Sequence, residues 1–169
     1  DYLLFCKMIN KLILWSFCLI ILSSCVVSPP KKTTNICEIF YEKRSWYKAA
    51  VKTEKRWGSP AYVTLAFIKQ ESDFQQGAKP ERTKLLGFIP WKRKSSAYGY
   101  AQAIDGTWDI YKKQAKKPLA SRTSFKDSVD FIGWYNKKSN KLLGIPKDNA
   151  RLLYLCLLYT SDAADERHC

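Results

Sequence analysis

The chain has 169 residues, and 29 Lys/Arg against 15 Asp/Glu give it a formal charge of +14. That is enough chain for one domain with a real core, and so basic a surface suits an anionic partner. Its one histidine is His168, so residues 26–155 carry 26 Lys/Arg, 11 Asp/Glu and no histidine. Serine–histidine, cysteine–histidine and histidine–zinc chemistries are excluded there.

The only methionine is Met8, and from it "MINKLILWSFCLIILSSC" reads as a signal segment over residues 8–25. Lys11 lies in a short positive start, and the apolar run Leu12–Leu22 is too short and too serine-interrupted for a spanning helix. Leu22–Cys25, "LSSC", resembles a bacterial lipobox. The resemblance implies cleavage before Cys25 and lipid on its sulfur; the alternative is an uncleaved anchor helix. Val26 at the next position leaves the protein free for sorting to the periplasmic face of the outer membrane of a Gram-negative cell. Residues 26–36 read as a polar, proline-broken tether. Export argues against nucleic acid as the partner of the basic surface.

Apolar residues at helical spacing from Cys37 to Trp57 predict a helix that stops at Gly58. Ser59 is then a cap and Pro60 a first-turn proline for a second helix, "AYVTLAFIKQES", which ends at Glu71 and Ser72. Residues 75–97 hold glycines, prolines and basic residues among Leu85, Leu86, Phe88, Ile89 and Trp91, and read as a long, ordered, packed loop. Asp105 is expected to cap a third helix and Ser124 to begin a fourth, through Leu143. A last helix opens at Pro146. Strand signals are nearly absent, so the domain, residues 37–155, is expected to be mainly α. From Cys156 the sequence "CLLYTSDAADE" resembles a translated sequencing-library adapter, and residues 156–169 are expected to be a non-native tail that cuts the last helix off. With Cys6, Cys18, Cys25, Cys156 and Cys169 so assigned, Cys37 alone remains. Neither a disulfide framework nor a cysteine metal cluster is then available.

Glu71 is the residue that calls for chemistry. In the final turn of an apolar helix it meets the negative end of the helix dipole, and Phe67, Ile68 and Phe74 add desolvation of the same sign. Both raise its pKa and keep the proton a general acid needs. The local alternative is a solvated carboxylate paired with Lys69.

A second stretch, "SSAYGYAQAIDGTW", decides between them. With "FIKQESDF" it resembles the SLT family of lytic transglycosylases, in the goose-type lysozyme superfamily. Glu71-Ser72-Asp73-Phe74 matches the family's Glu-Ser-x-Phe. Gly99-Tyr100-Ala101-Gln102 matches its Gly-Leu-Met-Gln with two replacements, and Thr107-Trp108 matches a following Thr-Trp. The resemblance covers Ser59 to Trp108 and implies a lysozyme-like fold. It implies that Glu71 is the catalytic acid/base, that Ser72 and Gln102 bind near the reacting sugar, and that Gly99 and Tyr100 line the substrate. The family's third element, which supplies a tyrosine beside the glutamate, is expected after Leu155 and is absent there.

Ordinary glycosidases set two carboxylates across the bond. Asp73, Glu81, Asp105 and Asp109 fit that role poorly, which favours a single-carboxylate scheme. The resemblance offers one: the acid protonates the oxygen between N-acetylmuramic acid and N-acetylglucosamine, then as base takes the proton of the muramic C6 hydroxyl as it closes on C1. The product is a 1,6-anhydro end, and no metal or organic cofactor is required. Trp91, Phe88 and Tyr98 are candidates to stack on sugars, with Lys92, Arg93 and Lys94 meeting anionic stem peptides; Trp108 and Trp134 read as core. The implied partners are peptidoglycan strands and, through the lipid anchor, a membrane. Three alternatives stay open: a muramidase hydrolysing the same bond, a non-catalytic, lysozyme-like cell-wall-binding lipoprotein, and a basic membrane-associated or nucleic-acid-binding module, whose only support is the aromatics interleaved with Lys/Arg in "GFIPWKRK".

Overall fold

The computed structural model describes residues 27–93 and 95–165. Cys25 and the rest of the expected signal segment lie outside the described residues, as do Lys94 and the side chains of Leu85 and Trp91. Six helices dominate: α1 (Ile36–Glu42), α2 (Arg44–Trp57), α3 (Ala61–Ser72), α4 (Asp105–Gln114), α5 (Phe125–Leu143) and α6 (Ala150–Asp165). A two-stranded antiparallel hairpin, β1 (Arg82–Leu85) and β2 (Ile89–Arg93), separates α3 from α4.

The single helix expected from Cys37 to Trp57 is two. Asn35 caps α1 by accepting from the backbone of Cys37 and Glu38, and Lys43, at φ −115° and ψ 70°, leaves the helical basin. No glycine or proline marks that break. α2 ends as expected at Gly58, in the left-handed conformation. Ser59 does not cap α3: it is fully buried, and its Oγ accepts from Asn136 Nδ2 of α5 at 2.9 Å. Glu54 of α2 supplies the cap, accepting from the Ala61 amide at 3.3 Å. Asp105 likewise is the first residue of α4 and no side-chain cap, because its carboxylate pairs with Arg122 at 2.7 Å. Ser124 caps α5, and Asn149 accepts from Leu152 at the start of α6, four residues beyond the proline that was expected to open the helix. α6 continues across Leu155 to Asp165.

The core forms where α3, apolar on nearly every face, runs between the other helices. Val63, Leu65, Phe67 and Ile68 are all buried. α2 packs on α5 at Gly133, where a Cβ would lie 2.5 Å from Thr53 Cγ2 and 2.9 Å from Trp57 Cδ1. Trp46 stacks on Phe125 at 3.9 Å, and Trp108, Tyr111, Phe131 and Trp134 form one aromatic cluster. Trp108 and Trp134 are core, as read from sequence. Among these rings sits one buried charge, Asp130, held by Arg56 at 3.1 Å, Lys117 at 3.1 Å and the Tyr111 hydroxyl at 2.8 Å. Burying a carboxylate is tolerable only with such pairing.

Residues 27–35, within the expected tether, are laid against the domain. Pro30 is buried, the Lys31 amide donates to Glu42, the Val27 amide donates to Gln76 Oε1 at 2.7 Å, and Thr33 Oγ1 accepts from Lys69 at 2.7 Å. The long packed loop of residues 75–97 is also corrected. Its middle is the hairpin, and Leu86, Phe88 and Ile89 are 77%, 73% and 41% exposed. Pro90 stands opposite Lys84, on a ribbon whose two strands are both edge strands, where proline is tolerated.

Candidate active site

Glu71 occupies the last turn of α3, and the chain reverses at once behind it. Asp73 (φ 47°) and Phe74 (φ 62°) are consecutive residues in the left-handed region. For an aromatic side chain this is an uncommon backbone that the surroundings must enforce. Here the enforcement is visible: Phe74 is 1% exposed and stacks on Trp46 at 5.8 Å. The reversal carries Asp73 away to Lys69, with which it forms an ion pair. Lys69 is therefore committed to Asp73 and Thr33, and the local alternative, a Glu71–Lys69 pair, is not formed.

Glu71 itself is half-buried. Desolvation pushes its carboxyl up to about 7, against a smaller opposing effect from a hydrogen bond with the Tyr154 hydroxyl. Tyr154 reaches it from α6, with its ring edge-on to Phe67 at 5.4 Å. Its own hydroxyl is pushed up to about 12, mainly by burial and then by Glu71, while Gln70 acts in the other direction. A tyrosine beside the glutamate is thus present, supplied by Tyr154 and not from beyond Leu155. In the sequence Tyr154 looked like one more apolar position of a terminal helix, and no local signal showed that it faces α3.

The second motif is brought to the first by one bond. Ser72 Oγ, buried, directs its proton at the carbonyls of Ile68 (3.1 Å) and Tyr100 (2.8 Å). Ser72 therefore clamps the Gly99–Gln102 turn onto the end of α3. Tyr100 is packed into the core. It is 1% exposed, its ring lies edge-on to Trp46 and Phe125, and burial pushes its hydroxyl up to about 12. Tyrosine replaces leucine in the motif because the position is core.

Gly99 (φ 78°) is required by a close approach of backbone: a Cβ there would sit 2.0 Å from the Arg122 carbonyl oxygen. That carbonyl accepts from the Tyr100 amide at 3.2 Å, and the Arg122 guanidinium donates to the carbonyls of Ser96 (3.0 Å) and Ala103 (2.9 Å). Arg122 organises the whole 96–105 segment, and no local motif announced it. Tyr98 bridges to Ala103 and takes cation–π contacts from Lys79 and Arg122, so cations, not an open ring, are what it presents. Gln102 (φ 44°) donates through Nε2 to the carbonyls of Ala78 (2.9 Å) and Gly99 (2.8 Å). Its Oε1 meets no donor among the described residues. Trp91 lies in β2.

The remaining carboxylates are engaged elsewhere. Asp105 pairs with Arg122, Asp109 with Lys112, and Asp130 with Arg56 and Lys117. Glu81 is exposed. Among the described residues, no group of His, Cys, Asp and Glu side chains is arranged to hold a metal ion.

A mainly helical domain in which a half-buried glutamate lies in the last turn of the central helix and a glycine–glutamine turn is bolted beside it defines a lysozyme-like protein. Residues 13–162 match the family described as the transglycosylase SLT domain, and the chain belongs to that family. It is a lytic transglycosylase-type domain, whose substrate is peptidoglycan. Comparison with curated proteins and with solved structures found no match.

Proposed function

We propose that the protein cleaves the β-1,4 bond between N-acetylmuramic acid and N-acetylglucosamine with Glu71 as its only acid/base, leaving 1,6-anhydro ends. The observation that carries this reading is the Glu71 carboxyl, held near pH 7 by burial, with Tyr154 as its hydrogen-bond partner. A group poised there donates its proton to the leaving oxygen and recovers one afterwards with comparable ease. Tyr154 steadies the carboxylate left by the first step, and Gln102 Oε1 accepts from a sugar hydroxyl or amide. The sugar's own acetamido group serves in place of a second carboxylate, since Asp73 is turned away to Lys69. The anchoring cysteine in this reading is Cys25, which puts the domain at the periplasmic face of the outer membrane.

The test is digestion of purified sacculi by the wild type and by Glu71→Gln, with products separated by mass. Anhydro-muropeptides from the wild type and their loss in the variant are expected; a general acid–base is worth about 10²–10⁴-fold. Reducing muramic ends would make the protein a muramidase, and undiminished cleavage by the variant would move catalysis to another residue.

A further inference from the structure

The hairpin has a composition that the fold does not use. Its tip, Leu86-Gly87-Phe88, joins the paired residues Leu85 and Ile89, and Leu86 (φ 54°) and Gly87 (φ 83°) both adopt the left-handed conformation. Tight turns of that shape favour Asn, Asp and Gly, yet a leucine stands there, 77% exposed beside a 73% exposed phenylalanine. Turn chemistry does not explain that choice.

The stem is equally unresolved within the protein. Arg82 and Arg93 face each other across the strands, a like-charge pairing that opposes the hairpin. Among the described residues, Arg82, Lys84 and Lys92 have no anionic partner, and Arg93 donates to the Pro80 carbonyl. A lone two-stranded ribbon is marginal in water. An apolar tip above a collar of cations needs a partner that is anionic at its surface and apolar beneath.

We infer that the Arg82–Arg93 hairpin is an interfacial wedge that binds an anionic phospholipid bilayer, with Leu86 and Phe88 entering the headgroup boundary and Arg82, Lys84, Lys92 and Arg93 meeting lipid phosphates. Polymeric glycan offers negative charge but no apolar layer to cover the tip, whereas a bilayer offers both. The position of the N-terminal segment agrees. Val27, two residues after the expected lipidated Cys25, is bonded to Gln76, six residues before β1 in the chain, so the residues next to the expected anchor are fastened to the start of the segment that carries the hairpin. This last point rests on the membrane-anchored reading above; the composition of the hairpin does not.

The full chain is mixed with preformed vesicles of phosphatidylglycerol or of phosphatidylcholine, and hydrogen exchange is followed by residue. Exchange across residues 82–93 is expected to slow on the order of tenfold on phosphatidylglycerol and not on phosphatidylcholine, since each cation near an anionic surface contributes a factor of about five. The protection should vanish in Leu86→Ser/Phe88→Ser and in Lys84→Gln/Lys92→Gln, with exchange elsewhere unaltered. Equal exchange on the two lipids would overturn the inference. So would protection that appears only when soluble glycan strands are added, which would make the hairpin a saccharide clamp. Co-sedimentation of the variants with both vesicle types reports the N-terminal anchor separately. Its loss would remove the anchoring reading while leaving the hairpin result to stand or fall alone.

Discussion

Replacing Glu71 by glutamine should stabilise the protein at neutral pH and do nothing at acid pH. The carboxyl rises from 4.5 to about 7 in the fold because burial opposes its charge. A carboxyl whose folded pKa is raised makes the native state bind a proton that the unfolded chain releases. Stability from this residue is therefore greatest below pH 4.5, falls as pH rises to about 7, and is flat beyond. At about 1.4 kcal/mol per pH unit the interval corresponds to about 3 kcal/mol. The amide keeps the shape, still accepts from Tyr154 and carries no charge, so it escapes the loss. Urea unfolding of the wild type and Glu71→Gln, followed by tryptophan fluorescence at several pH values, isolates the effect, since every other titrating group is common to both. The difference should grow to about 3 kcal/mol between acid and neutral pH, or roughly 10 °C in Tm for a domain of this size. If the two curves run parallel from about pH 4 to about pH 8, Glu71 titrates as an ordinary surface carboxylate, and the argument for a resident proton fails with it.

Tyr154→Phe removes the hydrogen bond that holds the Glu71 pKa down, so the basic limb of the kcat/KM profile should move to higher pH; an unmoved limb would separate Tyr154 from the reacting carboxyl. Gly99→Ala sets a methyl against the Arg122 carbonyl and should cost about 1–3 kcal/mol in chemical denaturation, with loss of cleavage as the 96–105 segment shifts; a neutral outcome would mean that Arg122 yields easily. Asp130→Ala leaves Arg56 and Lys117 without their shared carboxylate and Tyr111 without its acceptor, and roughly 3–5 kcal/mol of destabilisation is expected by calorimetry. Cys25→Ala should abolish incorporation of labelled fatty acid, and equal labelling of the two chains would remove the lipid anchor.

The sequence by itself determined what depends on neighbours a few residues apart. Gly58 and Ser124 marked the end of α2 and the start of α5, and "FIKQES" put a glutamate at the end of an apolar helix, where dipole and desolvation already foretold a held proton. The two separated motifs named the family because their order and residue types survive without any knowledge of the fold. What only the tertiary structure decided are the partners those residues acquired. Ser59 looked like a cap and became the acceptor of Asn136, because α5 crosses the α2–α3 turn. Ser72, Gly99 and Tyr100 acquired a role as fastenings between α3 and Arg122, since a carbonyl 23 residues further on cannot be foreseen from local pattern. Tyr154 looked like core filler and meets Glu71 only because α6 lies back on α3. The hairpin escaped notice for the opposite reason: with charged residues on both strands and a leucine in its turn, it lacks the alternation and turn residues by which strands are recognised. Local pattern marks most of the helices; which side chain meets which is settled by packing between elements distant in sequence, and the chemistry of the site depends on those meetings.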